Sequence, residues 1–172
     1  YKRQSQKNLF FEGSAHVPLL IMPPQGRSLP QNISVEAPAD LVDIYPTILA
    51  MAGLTSPVAV SGQNLLEPVP MNRLFFGNSL NKNFCVMEEK VKLVYSAVGN
   101  HVLLFDLNTD PMEQHNLAED PAWQERKAKL WKLLLEHTAQ FTPEALDENG
   151  QFITYEAPHF PGDMPGLSLI HI

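Results

Sequence analysis

Cysteine is almost missing from this chain: Cys85 is its only one. No intrachain disulfide can form, which excludes the stapled scaffold of small secreted domains. Basic residues are also scarce. Twelve Lys and Arg stand against 19 Asp and Glu, for a formal charge of -7, and this excludes a general nucleic-acid or anionic-membrane surface, both of which need basic patches. The nearest basic cluster, Arg126, Lys127 and Lys129, is interleaved with helix formers and is expected to be a solvated helix face. No apolar run is long enough for a membrane span, which needs about 20 residues; the longest lies around Val17 to Met22. The polar stretch Tyr1 to Asn8 does not resemble a signal peptide. The chain has no initiator Met at Tyr1, so its natural N-terminus is expected upstream, and the compartment, cytoplasm or periplasm, stays open. No Gly-rich phosphate loop, no Gly-x-Ser-x-Gly elbow and no His-Glu-x-x-His pair is found.

What is present belongs to a globular protein. Hydrophobic residues make up 44% and charged residues 18%, so a packed core is expected. Val17 to Met22 is predicted as a buried strand that starts at Pro18 and stops at Pro23-Pro24. A helix is predicted from Asp40 or Asp43 to Ala52, with an Asp as N-cap, Pro46 in the first turn and Gly53 as terminator. Ile44, Ile48 and Met51 share one of its faces. Thr55 to Met71 is predicted as loop, with a short turn at Gly62 to Leu66. Four short runs of β-formers follow, Leu74 to Gly77, Asn83 to Glu88, Lys90 to Ser96 and His101 to Leu107, spaced for antiparallel hairpins and with Gly99-Asn100 as a turn. Asp120 caps a second helix, Pro121 occupies its first position, and Trp123, Leu130, Leu134 and Phe141 form a stripe to lie on the sheet. Phe152 to Tyr155 is a further short strand candidate.

Most chemistry-bearing residues have ordinary readings. His101, His115, His137, His159 and His171 lack metal-ligand spacing. Glu88, Glu89, Lys90 and Lys92 read as a solvated strand face beside a hairpin. Asp106 and Asp110 bracket a turn, where Asp side chains bond nearby N–H groups. Trp123 and Trp131 read as helix packing. Lys7, five residues before Glu12, is by spacing alone an ordinary surface charge, since most lysines are solvated.

The segment Lys7-Asn8-Leu9-Phe10-Phe11-Glu12-Gly13-Ser14-Ala15-His16-Val17-Pro18 nevertheless resembles sulfatases of the alkaline-phosphatase-like superfamily. In that family a lysine stands five residues before the Glu of an aromatic-Glu-Gly-Gly/Ser-x-Arg/His-x-Pro stretch and contacts the substrate's sulfate. Two later blocks are similar to the same family: Leu41 to Gly53, and Leu104-Phe105-Asp106-Leu107 with Asp110-Pro111-Met112-Glu113-Gln114-His115-Asn116-Leu117. The order of the three blocks is the family's, over roughly residues 7 to 140. The resemblance implies that Lys7 is the sulfate contact, with Glu12 and His16 as supporting residues. His16 stands where Arg is common, and reads as a packing or hydrogen-bonding residue.

The departures are as informative. The family's Cys/Ser-x-Pro/Ala-x-Arg motif, whose first residue becomes formylglycine, is absent, and Cys85 is not followed by the required Pro and Arg. The divalent-cation ligands are absent too. No metal ligand and no bound cofactor is therefore assigned to this chain, while Ca²⁺ or Mg²⁺ and a formylglycine are implied for the full-length protein. The implied fold is α+β: residues 1–70 as the last strand and helix of an α/β core, residues 71–141 as a small antiparallel sheet of about four strands packed on a C-terminal helix, and residues 142–172 as an extended tail. The implied function is the C-terminal part of a sulfuric ester hydrolase acting on a sulfate-ester substrate, inactive when separated from its upstream residues. A phosphonate or phosphate monoester hydrolase of the same superfamily is one alternative, and a non-catalytic sulfatase-derived binding module another. No nucleic-acid or membrane partner is expected, but self-association through exposed core surface is. Residues 166–172 match nothing recognisable.

Overall fold

The computed structural model describes residues 9–22 and 34–156. Its centre is a four-stranded antiparallel sheet in the order β1-β2-β3-β4, formed by Phe75–Ser79, Asn83–Glu88, Val91–Ser96 and His101–Asp106. Each strand pairs with its neighbour in sequence, as short connections between antiparallel strands require. Glu89 and Lys90 form the two-residue link from β2 to β3, Glu88 pairing with Val91. Both have positive φ, 52° and 63°, the twist that suits a tight hairpin. Lys90 thus belongs to the turn, not to β3. Gly99 and Asn100 also have positive φ, in the loop joining β3 to β4 as expected.

Alternation along the strands sends two sets of side chains to opposite faces. Phe84 and Val86 of β2, Leu93 and Tyr95 of β3, and Leu104 of β4 face the long helix α3, Gln124–Phe141, whose Leu130 and Leu134 complete that core. Trp131 meets Tyr95 edge-on, ring centroids 4.9 Å apart, so its predicted packing role holds. Phe141, at the helix end, is exposed, because the stripe has run past the sheet there; it touches His137 instead, centroids 4.5 Å apart. Replacing Leu134 by Ala should cost about 3 kcal/mol through lost burial and a residual cavity, read as a lower urea midpoint at unchanged slope.

Asp120 accepts from Ala122 N and Pro121 opens a 3₁₀ turn ahead of α3, as the sequence predicts. Arg126 and Lys129 are not merely solvated. Arg126 donates to Glu88 O at 2.9 Å and pairs with Glu88 Oε2 at 2.9 Å, and Lys129 reaches the same oxygen at 2.6 Å. They tie α3 to the β2–β3 turn. Phe152 is buried in the helix-side core, but Phe152 to Tyr155 forms only isolated bridges, to Leu146 and Val98.

The other sheet face carries Cys85, Val94, Leu103 and Phe105, covered by Phe10 and Phe11. Gly77, Cys85, Val94 and Leu103 are successive register partners across the sheet. A Cβ on Gly77 would fall 2.5 Å from the Phe10 ring, so the absence of a side chain there lets Phe10 approach the sheet closely. Phe10 and Phe11 lead into a single helical turn, α1, Glu12–Ala15.

Past α1 the structure corrects the sequence reading. Val17 to Met22 is not a strand and is not buried: Leu20 is 93% and Met22 85% exposed. A strand needs a neighbour to take its N–H and C=O groups, and none of the described residues pairs with it. The predicted helix forms as a 3₁₀ turn, Leu41–Asp43, running into α2, Ile44–Ala52, with Gly53 left-handed at φ 74°. Ile44 and Ile48, predicted on one apolar face, are exposed. Together with Leu19 to Met22, Met51 and Leu65 they line an open apolar groove.

Candidate functional site

Strand alternation places Lys92 between Leu93 and Val91 in sequence but on the opposite face, beside Val94. Only 2% of Lys92 is exposed, which overturns its reading as part of a solvated strand face. Its ammonium sits among three oxygens. Nζ lies 2.5 Å from Glu12 Oε1 and 2.7 Å from Glu113 Oε1, and donates to Phe10 O at 2.9 Å. Glu113 is as buried as the lysine, and Glu12 is about a quarter exposed.

The same groups build α1. Phe11, at the N-cap position, provides no capping side chain, so the orphan N–H groups of the first turn need another acceptor. Glu113, more than a hundred residues away, provides it: its Oε2 accepts from Glu12 N at 2.6 Å. Ser14 Oγ closes the turn by donating to Leu9 O at 2.5 Å. His16 Nδ1 lies 2.9 Å from Glu12 Oε2. Glu12 and His16, both singled out from the sequence, are therefore brought together. Lys7 lies outside the described residues.

Glu113 reaches this position from the third sequence block. His115 N donates to Asp110 Oδ2 at 2.8 Å, and this bond, with a second from Gln114, holds the Asp110 carboxyl below its ordinary range. Asn116 Oδ1 accepts from Leu104 N and Ala118 N, and Leu117 N donates to Leu104 O. The block thus folds back along β4, and Glu113 sits in the loop with φ 54°. Asp106 accepts from Asn108 N, which bears out its turn role. Cys85 is wholly buried on the same face; desolvation pushes its thiol up to about 12 despite the nearby Lys92, as suits an inert structural residue.

The middle block is organised by a second buried carboxylate. Asp43, fully buried, takes both guanidinium nitrogens of Arg73, at 2.5 and 2.7 Å, and the backbone N–H groups of Asp40 and Gln63. Burial raises its pKa, but the hydrogen bonds from Arg73, Gln63 and Asp40 outweigh it and hold the carboxyl below 3.8. Arg73 stands just ahead of β1, so this pair joins the helical segment to the sheet. The sequence contains both residues without marking them as partners, because the link spans 30 positions.

Among the described residues, no group of three or more His, Cys, Asp or Glu side chains is placed to hold a metal ion. The Ca²⁺ or Mg²⁺ implied by the resemblance does not find a ligand set there, and Cys85, buried in β2 and outside the required motif, does not fit a formylglycine precursor. No helix among the described residues is long and apolar enough to cross a membrane.

An antiparallel sheet backed by a helix, with an acidic turn gripped on its second face, defines an α+β module. Residues 3–140 match the family described as N-sulphoglucosamine sulphohydrolase, C-terminal, and the chain belongs to that family. Among curated proteins it is 35% identical over 135 residues to arylsulfatase K of Bos taurus, an alignment covering 67% of this chain and 24% of that protein. It is 28% identical over 148 residues to the uncharacterized sulfatase YidJ of Escherichia coli (strain K12), covering 80% of this chain and 29% of that one. Among solved structures it is similar to BT1596, a 2-O GAG sulfatase, with TM-score 0.50 and 21% identity over 67% of this chain and 30% of that one. The chain therefore spans about a quarter of the length of the curated arylsulfatases it matches.

Proposed function

We propose that this chain is the C-terminal part of a sulfuric ester hydrolase and forms the sulfate-binding rim of its active site, with Lys7 as the group that contacts the sulfate. One observation carries the reading. The turn that begins at Glu12, five residues after Lys7, is gripped through its backbone by Glu113 of the loop after β4 and through its carboxylate by Lys92 of β3. A cation needs such a support to act as a preorganised oxyanion partner. Similarity to arylsulfatase K supports sulfate over other esters. Residues 1–70 would then complete an α/β core with upstream chain, residues 71–141 form the sheet module and 142–172 a tail whose Ala145 and Phe152 pack into the helix-side core of that module. The open groove of Leu19 to Met22, Ile44, Ile48 and Met51 is apolar surface that such a core would cover, and the surface through which the isolated chain would self-associate.

In this reading Lys7 neutralises charge on the sulfate and leaving-group oxygens, and Glu12 and His16 support its segment. The metal and the formylglycine of the family would supply Lewis-acid and nucleophilic chemistry from elsewhere in the full-length protein; the chemistry assigned to this chain is binding and charge neutralisation. Lys7→Ala in the full-length protein should lower kcat on an aryl sulfate about 100-fold, the scale for losing one oxyanion partner, with the thermal midpoint unchanged. Unchanged turnover would remove Lys7 from the site. Faster turnover of aryl phosphonate than of aryl sulfate by the parent enzyme would favour the phosphonate alternative, and no turnover of either would favour a binding module.

A further inference from the structure

We infer that Lys92 and Glu113 are positioning residues for the sulfate-binding segment, an inference that rests on the reading of Lys7 as the sulfate contact. The geometry is specific to that segment. Lys92 Nζ holds Phe10 O at 2.9 Å and Glu12 Oε1 at 2.5 Å, and Glu113 Oε2 holds Glu12 N at 2.6 Å. Three contacts on two residues fix both the place and the direction of the backbone entering α1. Lys7 is three residues before Phe10 in the sequence.

Two features exceed what packing alone requires. A lysine and a glutamate, each with only 3% of its side chain exposed, carry a desolvation penalty that an apolar pair of the same shape would avoid. Glu113 also adopts φ 54°, a left-handed conformation that is unfavourable for a residue with a Cβ. Both features are directed at one target, the Phe10 to Glu12 backbone. The grip spans 82 residues from Lys92 to Phe10 and 101 from Glu113 to Glu12. The sheet module thereby fixes the Phe10 to Glu12 backbone that follows Lys7 in the sequence.

The experiment is a mutant cycle in the full-length protein. Glu113→Gln and Glu12→Gln keep an acceptor oxygen but remove the charge that pairs with Lys92, and each is made with and without Lys7→Ala. Steady-state kinetics on an aryl sulfate are read with thermal melts of each variant. In the Lys7 background each substitution should lower kcat roughly 10- to 100-fold at nearly constant KM, the scale of a misplaced binding group. In the Lys7→Ala background the same substitution should change kcat less than about twofold, because residues acting through one group are not additive. Equal losses in both backgrounds, or unchanged kcat in folded Glu113→Gln and Glu12→Gln variants, would overturn the inference while leaving Lys7 in place. If Lys7→Ala itself is silent, the reading of Lys7 fails first. Should Glu113→Gln not fold, Glu12→Gln, on the more exposed carboxylate, decides the matter alone.

Discussion

Lys92→Met will destabilise the fold by roughly 3–5 kcal/mol, the cost of breaking a buried ion pair from one side. Methionine is close to the lysine stem in length and keeps an apolar side chain at this buried position, so the loss isolates the charge. Without the ammonium, Glu113 is a carboxylate with 3% of its side chain exposed and no cation, and Phe10 O loses its donor. Glu12, about a quarter exposed, can turn to water and contributes less. Equilibrium urea unfolding of the full-length protein, followed by hydrogen exchange in residues 91–96, measures the effect. Neutralising all three members, with Lys92→Met, Glu12→Gln and Glu113→Gln together, should recover part of the loss, since no uncompensated charge then remains. A single-variant loss under about 1 kcal/mol, the range of exposed pairs, would show that water reaches the triad.

Asp43→Ala should be of similar size, roughly 3–5 kcal/mol, but local to another part of the molecule. The carboxylate gathers Arg73, Asp40 N and Gln63 N, and its removal strands all of these donors in a buried place. Amides of α2 should lose protection against exchange by roughly 100- to 4,000-fold, which is the same free energy at about 1.4 kcal/mol per decade. Amides of β3, held by their own ladder, should change little. The pH dependence has a definite sign. Burial raises the Asp43 pKa and the bonds from Arg73, Gln63 and Asp40 lower it further than burial raises it, so the folded-state value lies below 3.8. A depressed carboxyl contributes stability that is present above the unfolded pKa and is lost as pH falls through the folded one. The difference between wild type and Asp43→Ala should thus hold from pH 7 to about 4 and shrink below. Asp40 opposes it: burial, then repulsion from Asp43, raises its pKa, so its contribution is present at low pH and is lost as pH rises. A difference that grows on acidification would contradict the assignment of Asp43 as the ionised hub.

Much of the sheet module was legible because its signals are local. Asn83–Glu88 matches the predicted strand, and Val91–Ser96 and His101–Asp106 agree within a residue, since β-branched and aromatic runs between turn residues depend on near neighbours. The caps at Asp40, Gly53 and Asp120 are equally local. Val17 to Met22 misled for the same reason: apolar composition marks a segment that prefers burial, but burial and strand pairing require a partner surface, which the described residues do not present to it. Lys92 misled in the opposite direction. Beside Glu88, Glu89 and Lys90 it reads as one charge of a solvated run, and period-two alternation alone cannot say which face of a sheet a helical turn from the chain start will cover.

For the segment from Lys7 to Pro18, taken with the two later blocks, sequence by itself determined the resemblance to the family and singled out Lys7, Glu12 and His16, because residue identity and spacing along a chain survive without coordinates. Tertiary structure alone decided that Glu12 meets His16, Lys92 and Glu113. The His16 contact is a local i,i+4 pair, whereas those with Lys92 and Glu113 follow from the register of β3 and the return of the Asp110 to Leu117 loop along β4, two long-range pairings whose energies come from burial and not from local preference.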